Sequence, residues 1–503
     1  MQDRELAFTP AWKQAQMVAA REISPSELVD VYLRRIEAID PQIGAYITVA
    51  IEQARDEALE ADVKLNRAAR AGTPLPPLFG VPVSIKDIES TRGLRTTMGS
   101  RIFADTAPAN DSVVVERVRA AGAIIIGKTN TPEIAIHLET ITDNEVLGPA
   151  RNPWDRTRTT GGSSGGAASG LATGLCALAV GSDGGGSIRI PASFCGVFGM
   201  KPTQGRVPRA GGLGRADPNQ FAQSGPMSNY VLDSALLLQA LSGPDPRDPQ
   251  PYLREAPPDF AAGIRALAAD TSSKPLAGLK VAWSPDLGHA AVDPEVARVS
   301  HAAALAFEAL GATVESPTVN FATDLPEHFW NVFGANAYVQ FGHLLEEKRH
   351  LLGVSARTAL ERGKTVTGYQ YARSLRAVNE LKLYVDNLFG NFDLLLTPST
   401  SIPAFDPQNR PARIAGKEVH SITGFYPFTF PFNMTGHPAA SVPCGFVGAA
   451  AGGLSTSADA PSGPKLPVGL QVVGRRGDDA GVLRACAAFE AARPWSGTRP
   501  PMA

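Results

Sequence analysis

The chain has 503 residues, 47 basic and 49 acidic side chains for a formal charge of -2, and 44% hydrophobic against 19% charged residues. Near-neutrality excludes a polyanion-binding surface of the nucleic-acid type, and the apolar content excludes a disordered chain. Four scattered cysteines, Cys176, Cys195, Cys444 and Cys486, are too few for a disulfide scaffold and point to a reduced, cytoplasmic setting. The N-terminus lacks the basic and apolar regions of a signal peptide, and no run of about 18 apolar residues occurs, so neither secretion nor a membrane span is expected. Asn110 and Asn433 head Asn-x-Ser/Thr matches that then have no route to a glycosylating compartment. The length fits about three average domains or one large α/β unit.

The first seventy or so residues read as helices. Ser24 to Glu27 is a capping box with Pro25 at the first helical position, and Leu28, Tyr32, Ile36 and Ile39 follow at helical spacing. A second helix is expected from Ile51 to Ala71, stopped by Gly72. The pattern then alternates: a buried strand from Leu78 to Ile85, a helix capped by Asp111 and running to Ala121, and a β-branched strand from Ala123 to Ile126. Strand, helix, strand order predicts a layered α/β fold with a mixed, largely parallel central sheet covered by helices on both faces. The small residues after Gly161 predict a helix, and the apolar run from Cys176 to Val180 its return strand. Gly205 to Gly225 reads as an exposed loop beside a site, whereas Asp245 to Pro258 and Val447 to Pro464 read as surface excursions. A strand from Val468 to Val473 and a helix begun at Asp478 or Asp479 close the chain.

No HExxH, CxxC, paired Cys/His spacing or GxGxxG behind a strand occurs, so no metal and no cofactor are expected. The eight histidines, His137 and His437 among them, lie away from the glycine clusters in sequence and read as structural or solvated. Gly122 to Thr129 (GAIIIGKT) satisfies the letter of the P-loop, but three consecutive isoleucines form a strand and not a pliant phosphate cradle. Gly161 to Gly165 (GGSSG) satisfies the nucleophile-elbow pattern, yet the residues before it are loop-like where an elbow needs a strand.

The stronger constellation pairs Gly-Gly-Ser163-Ser164-Gly-Gly with Gly184-Gly185-Gly186-Ser187, 24 residues on from Ser163. A helix rising about 16 Å and a strand returning about 23 Å bring both serines to one edge of the sheet. Ser163 then lies at a helix N-terminus that favours developing negative charge, and the glycine backbone is bare enough to approach a substrate. A serine nucleophile needs a base. Without a marked histidine the candidates are lysines that end apolar stretches, namely Lys86, Lys128 and Lys201, with Lys86 first because its strand is the longest.

Gly161 to Arg206 (GGSSGGAASGLATGLCALAVGSDGGGSIRIPASFCGVFGMKPTQGR) closely resembles the signature of the amidase-signature hydrolases, densely across some 46 residues. Gly80 to Asp87, Gly122 to Glu133, Pro431 to Gly445 and Leu466 to Gly474 extend the resemblance along most of the chain. It implies Ser187 as nucleophile, Ser163 as a bridging serine preceded by a cis peptide bond, and Lys86 as the base. It further implies an oxyanion hole of the N–H groups of Gly184, Gly185, Gly186 and Ser187, supported by Asp183, Arg189 and Ser164. Gly184 departs from the family, where Thr or a larger residue is commoner. Lys86 must be neutral to accept a proton, so burial must lower its pKa from about 10.4.

The same resemblance implies a hydrolase for a small amide, carbamate or anilide, working as a monomer or homodimer with no nucleic-acid or membrane partner. The alternatives are an amidotransferase A-type subunit releasing ammonia from glutamine in a tRNA-dependent complex, and a catalytically silent member of the fold. The expected organisation is a helical segment over residues 1–75 and a catalytic domain over 76–503. Within the latter lie the signature core 161–206, a variable pocket region 207–430 and C-terminal core elements 431–495. Phe329, Trp330, Phe333, Tyr338, Phe341, Tyr369 and Tyr371 are candidates for an apolar pocket or, equally, for helix core.

Overall fold

The computed structural model describes residues 2–137, 141–211, 221–248, 255–269, 274–420, 422–448 and 465–503. Its strands are β1 (Tyr46–Val49), β2 (Pro82–Lys86), β3 (Ile124–Thr129), β4 (Leu178–Asp183), β5 (Phe198–Lys201), β6 (Gln223–Ser228) and β7 (Lys280–Trp283). They continue as β8 (Thr313–Glu315), β9 (Leu394–Pro398), the small hairpin β10 (Arg413–Ile414) and β11 (Lys417–Glu418), β12 (Ala439–Gly448) and β13 (Lys465–Gly474). Eleven of them form one sheet in the order β1-β3-β2-β4-β6-β5-β12-β13-β9-β7-β8. The sheet is mixed. Parallel pairing holds β3 to β2 and β2 to β4 on one flank and β9 to β7 to β8 on the other, while the middle is antiparallel. Every residue of β2, β3, β4 and β9 is buried, which requires cover on both faces and explains their unbroken apolar runs.

Local signals set the helices of the N-terminal region. The helix Pro25–Ile43 starts at the Ser24–Glu27 capping box and stops at Gly44 with φ 60°, and the helix Ile51–Ala71 stops at Gly72 with φ 64°. Between them lies β1, which the all-helical reading of this segment missed: it pairs antiparallel with the edge of β3 and joins the N-terminal region to the main sheet. The P-loop-like residues 124–129 are strand β3, as three isoleucines in a row dictate.

Several boundaries shift from expectation. The strand expected at Leu78 begins at Pro82, because the residues before it turn at Gly80 with φ 76°. The helix Val113–Ala120 is capped by Ser112, whose Oγ accepts the Val115 N–H; the Asp111 carboxylate is occupied by Arg92 N–H and Arg119 Nε. The helix Gly165–Ala172 ends before Gly174 with φ 68°, and its return strand starts at Leu178. The C-terminal helix Asp479–Ala492 is capped by Asp478, as anticipated.

Candidate active site

Parallel strands bring their carboxyl ends to the same edge of a sheet, where open α/β folds place their ligands. Here β2 and β4 pair in parallel, with Ile85 opposite Val180, so Lys86 at the end of β2 lies beside Ser182 and Asp183 at the end of β4. The helix Gly165–Ala172 starts at that edge. Ser164 ties it there: its Oγ donates to Ser182 O at 3.2 Å and accepts the Ser182 N–H, and its N–H donates to Ser187 O at 3.0 Å. Gly165 and Gly166 permit the approach, since a Cβ on Gly166 would lie 2.4 Å from Asn130 N and Ala45 O.

The Lys86 side chain is fully buried, with Nζ 2.6 Å from Ser163 Oγ and 2.9 Å from Ser182 Oγ. Burial lowers its pKa to about 7, against the opposing pull of the Asp183 and Glu89 carboxylates, so a large neutral fraction exists at neutral pH. The peptide bond between Gly162 and Ser163 is cis. Ser163 and Ser187 line one cavity of about 170 Å³ together with Ser182, Gly184 and Gly185. Among the described residues no hydrogen bond joins the two serine hydroxyls.

The other two lysines are elsewhere. Lys128 lies opposite Ile85 in the β2–β3 register, which sends its side chain to the other face from Lys86; there it donates to Thr96 Oγ1 at 2.8 Å and to Glu89 O. Lys201 donates to Pro202 O at 2.8 Å. Burial also brings Lys201 to about 7, so the contact with Ser163, and not the pKa, singles out Lys86.

Asp183 organises the glycine loop. Its Oδ1 accepts the Gly186 N–H at 2.8 Å and its Oδ2 accepts the N–H of Ile188 at 3.2 Å. Burial pushes its carboxyl up, but the Arg189 guanidinium and Asn433 outweigh this and hold it well below the usual carboxylate range. The expected four-donor oxyanion hole therefore changes. Gly186 is buried and its N–H is committed to Asp183, whereas Gly184, Gly185 and Ser187 border the cavity. Gly185 is held from behind, its carbonyl accepting Thr429 Oγ1–H at 2.8 Å, and a Cβ there would stand 2.8 Å from Phe329 Cζ.

Sequence reasoning missed several participants. Asn433, set aside above as a chance glycosylation match, is buried and donates Nδ2–H to Asp183 O and Oδ1 at 2.9 Å each. His137 is not remote from the glycine clusters: it borders the cavity, and burial lowers its pKa to about 4, leaving it neutral near pH 7. His437 is buried away from the cavity, as a structural residue would be. Gly205 to Gly225 borders the site as anticipated, but its described residues are mostly buried. Val207 and Phe221 to Gly225 are buried, Arg209 to Gly211 and Ala222 border the cavity, and 212–220 lie outside the described residues. Of the aromatic candidates, Phe329, Trp330, Phe333 and Phe341 line the cavity. Tyr338 packs into a neighbouring core cluster, Tyr371 donates to Asn336 Oδ1, and Tyr369 is 78% exposed, while Tyr426 belongs to the wall and was not anticipated.

What this edge of the sheet offers is serine hydrolase chemistry at a carbonyl carbon, with a lysine where such sites often keep a histidine. A family model described as Amidase matches residues 27–483. The chain is 35% identical to an acylamidase of Rhodococcus erythropolis over 99% of its own length and 98% of that protein's. It is also 35% identical to the A-type subunit of a glutamyl-tRNA(Gln) amidotransferase from Synechococcus sp. (strain CC9605), over 99% of each. The structure of a bacterial aryl acylamidase of the amidase-signature family superposes with a TM-score of 0.84 at 28% identity, covering 97% of each chain. The chain belongs to the amidase family and is a hydrolase acting on amides.

Proposed function

We propose that the protein hydrolyses the amide bond of a small, apolar or aromatic substrate through an acyl-enzyme on Ser187. The observation that carries this reading is the 2.6 Å contact between Lys86 Nζ and Ser163 Oγ at a cavity floor that also presents Ser187. Ser187 Oγ attacks the carbonyl carbon while its proton passes to Ser163 Oγ, and the Ser163 proton passes to the neutral Lys86 amine. The N–H groups of Gly184, Gly185 and Ser187 face the developing oxyanion. Collapse breaks the carbon–nitrogen bond, the leaving nitrogen takes a proton back through Ser163 from Lys86, and an ester remains on Ser187. Water, deprotonated along the same relay, attacks the ester; the bond between the acyl carbon and Ser187 Oγ breaks, Ser187 Oγ takes the proton back from Lys86 through Ser163, and the acid is released. Asp183, Arg189 and Ser164 hold the loop and the helix start.

The wall of Phe329, Trp330, Phe333, Phe341 and Tyr426 supports an aromatic or bulky apolar substrate, with Glu89 and Arg209 bordering the same cavity. Similarity to the acylamidase and to the aryl acylamidase points the same way. In this reading the enzyme works in the cytoplasm as a monomer or homodimer, with 76–503 as catalytic domain; the four cysteines are unpaired. No helix of the described residues is long and apolar enough to cross a membrane. The test is a panel of aliphatic amides, anilides, aryl carbamates and glutamine given to the isolated chain. Turnover of anilides or carbamates is expected, and turnover of glutamine alone would favour a role within an amidotransferase complex.

A further inference from the structure

The helix Leu325–Phe341 builds most of the aromatic wall: Phe329, Trp330, Phe333, Ala337 and Phe341 recur at three- and four-residue spacing and border the cavity. Two further helices, Val354–Lys364 and Gly368–Leu388, pack against it, and none of their described residues borders the cavity. The first makes backbone contact. A Cβ built on Gly363 would collide with Gly334 O and stand 2.7 Å from Gly334 C, whereas a Cβ on Gly334 would have Gly363 Cα as its nearest neighbour, at an ordinary 3.5 Å. Neither glycine has a positive φ, and glycine weakens a helix relative to alanine, so at 363 the close crossing is what calls for it. On the second helix Ser374 is the tie. Its Oγ lies 3.1 Å from His328 Nδ1 and accepts the Asn331 Nδ2–H at 3.2 Å, and all three residues are buried. Groups outside the cavity therefore place the wall that borders it.

We infer that Gly363 is a positioning residue for substrate size: its close crossing with Gly334 sets where the aromatic wall stands relative to Ser187, and so how large a ring the cavity accepts. The inference rests on the amidase reading above and adds a determinant of its specificity. A methyl group at 363 forces the two backbones apart by roughly 1 Å, because non-bonded atoms in contact stand about 3.5 Å apart. Close packing carries that shift to the rings, which travel with the helix that bears them. A large substrate that rests on the wall then loses its fit, while a small one that does not reach the wall loses little. Misplacement on this scale costs a rate factor of up to about a hundred.

The experiment measures kcat/KM on two pairs of amides. One pair varies the acyl group, acetyl against benzoyl, on para-nitroaniline; the other varies the amine, aniline against naphthylamine, on acetyl. The large-to-small ratio within a pair, taken on one preparation, does not depend on how much of the protein is folded. In Gly363→Ala it is expected to fall by roughly tenfold in at least one pair. In Gly334→Ala, where the added methyl has room, it should stay within about twofold of the parent, with Tm kept or raised. Ser374→Ala adds no atoms and releases Asn331 and His328, so it should lower the same ratio by a smaller factor. A ratio unchanged in Gly363→Ala, or lowered equally by Gly334→Ala, overturns the inference while leaving the amidase reading intact. Should Gly363→Ala fail to fold, Ser374→Ala decides the matter, and an unchanged ratio there overturns it. Absence of turnover by the parent on all four compounds overturns both readings.

Discussion

Arg189 and Asp183 form a fully buried, two-pronged pair, with guanidinium Nε and Nη2 each 2.9 Å from a carboxylate oxygen. Asp183 ends β4 and Arg189 opens the helix Arg189–Cys195, so the pair clamps the loop that carries Ser187. The remaining guanidinium N–H groups go to Thr429 O, Gln471 Oε1 and Asn433 Oδ1, which ties this loop to the C-terminal core. Lysine at 189 keeps the charge but loses the planar fork. Arg189→Lys is expected to lower kcat/KM by about a hundredfold through misplacement of the loop. Thermal melts should show a loss toward the ~3–5 kcal/mol of a broken buried pair. Normal turnover in a folded Arg189→Lys protein would show the clamp to be dispensable.

Ser187→Ala is expected to abolish hydrolysis and to remove the acyl adduct that a slow anilide, or the phosphonyl adduct that a fluorophosphonate, should leave on the parent enzyme in intact-protein mass spectrometry. Ser163→Ala should retain the fold and lose about a thousandfold or more in kcat, because the proton of Ser187 then has no route to Lys86. A Ser187→Ala protein that still turns over, or still takes the label, points to a different nucleophile.

The pH dependence follows from Lys86. In the proposed relay Lys86 works only when unprotonated, and burial lowers its pKa to about 7, so kcat/KM should climb through neutrality and level off above it. The measurement is a pH–rate profile on an uncharged substrate. A rate falling steadily above pH 7 would be incompatible with a lysine base.

Stability has its own pH dependence at the seam between the helices Val231–Leu241 and Asp479–Ala492. Glu490 Oε2 accepts the Val231 N–H at 3.0 Å, and Oε1 has no partner among the described residues. Burial, with the neighbouring Asp233 adding to it, raises the Glu490 pKa to about 8. The folded protein thus keeps a proton that the unfolded chain releases near 4.3, and the associated stability is lost as pH rises through about 8. Glu490→Gln cannot titrate. Its Tm advantage over the parent should grow by about 2–4 °C between pH 6 and pH 9 in paired thermal melts. An advantage that stays constant across that interval would mean that Glu490 ionises normally.

The legible parts of this fold were local ones. The capping box at Ser24, the glycine stop at Gly72 and the isoleucine strand β3 are each decided by residues within a few positions of one another. β1 was not legible, because four residues without strong alternation become a strand only when the edge of β3 supplies their hydrogen bonds. Thr429, Asn433 and Gln471 were invisible as site residues for a similar reason. They lie 240 to 282 positions from Arg189, and nothing beside them in sequence marks what they hold.

The amino-acid sequence alone settled which chemistry is on hand: two serines among glycines, lysines at the ends of apolar strands and a charge balance indifferent to polyanions. These are properties of residue type and spacing, which the chain carries whether folded or not. Tertiary structure chose among them. The register of β2 against β3 and β4 turned Lys86 toward Ser163 and Lys128 away, and burial drew the Lys86 amine to neutrality. The Asp183 carboxylate took up the Gly186 N–H, and the packing of distant helices decided which aromatic rings reach the cavity. Proton affinity, donor availability and pocket shape depend on neighbours within a few ångströms, and here those neighbours come from parts of the chain hundreds of residues apart.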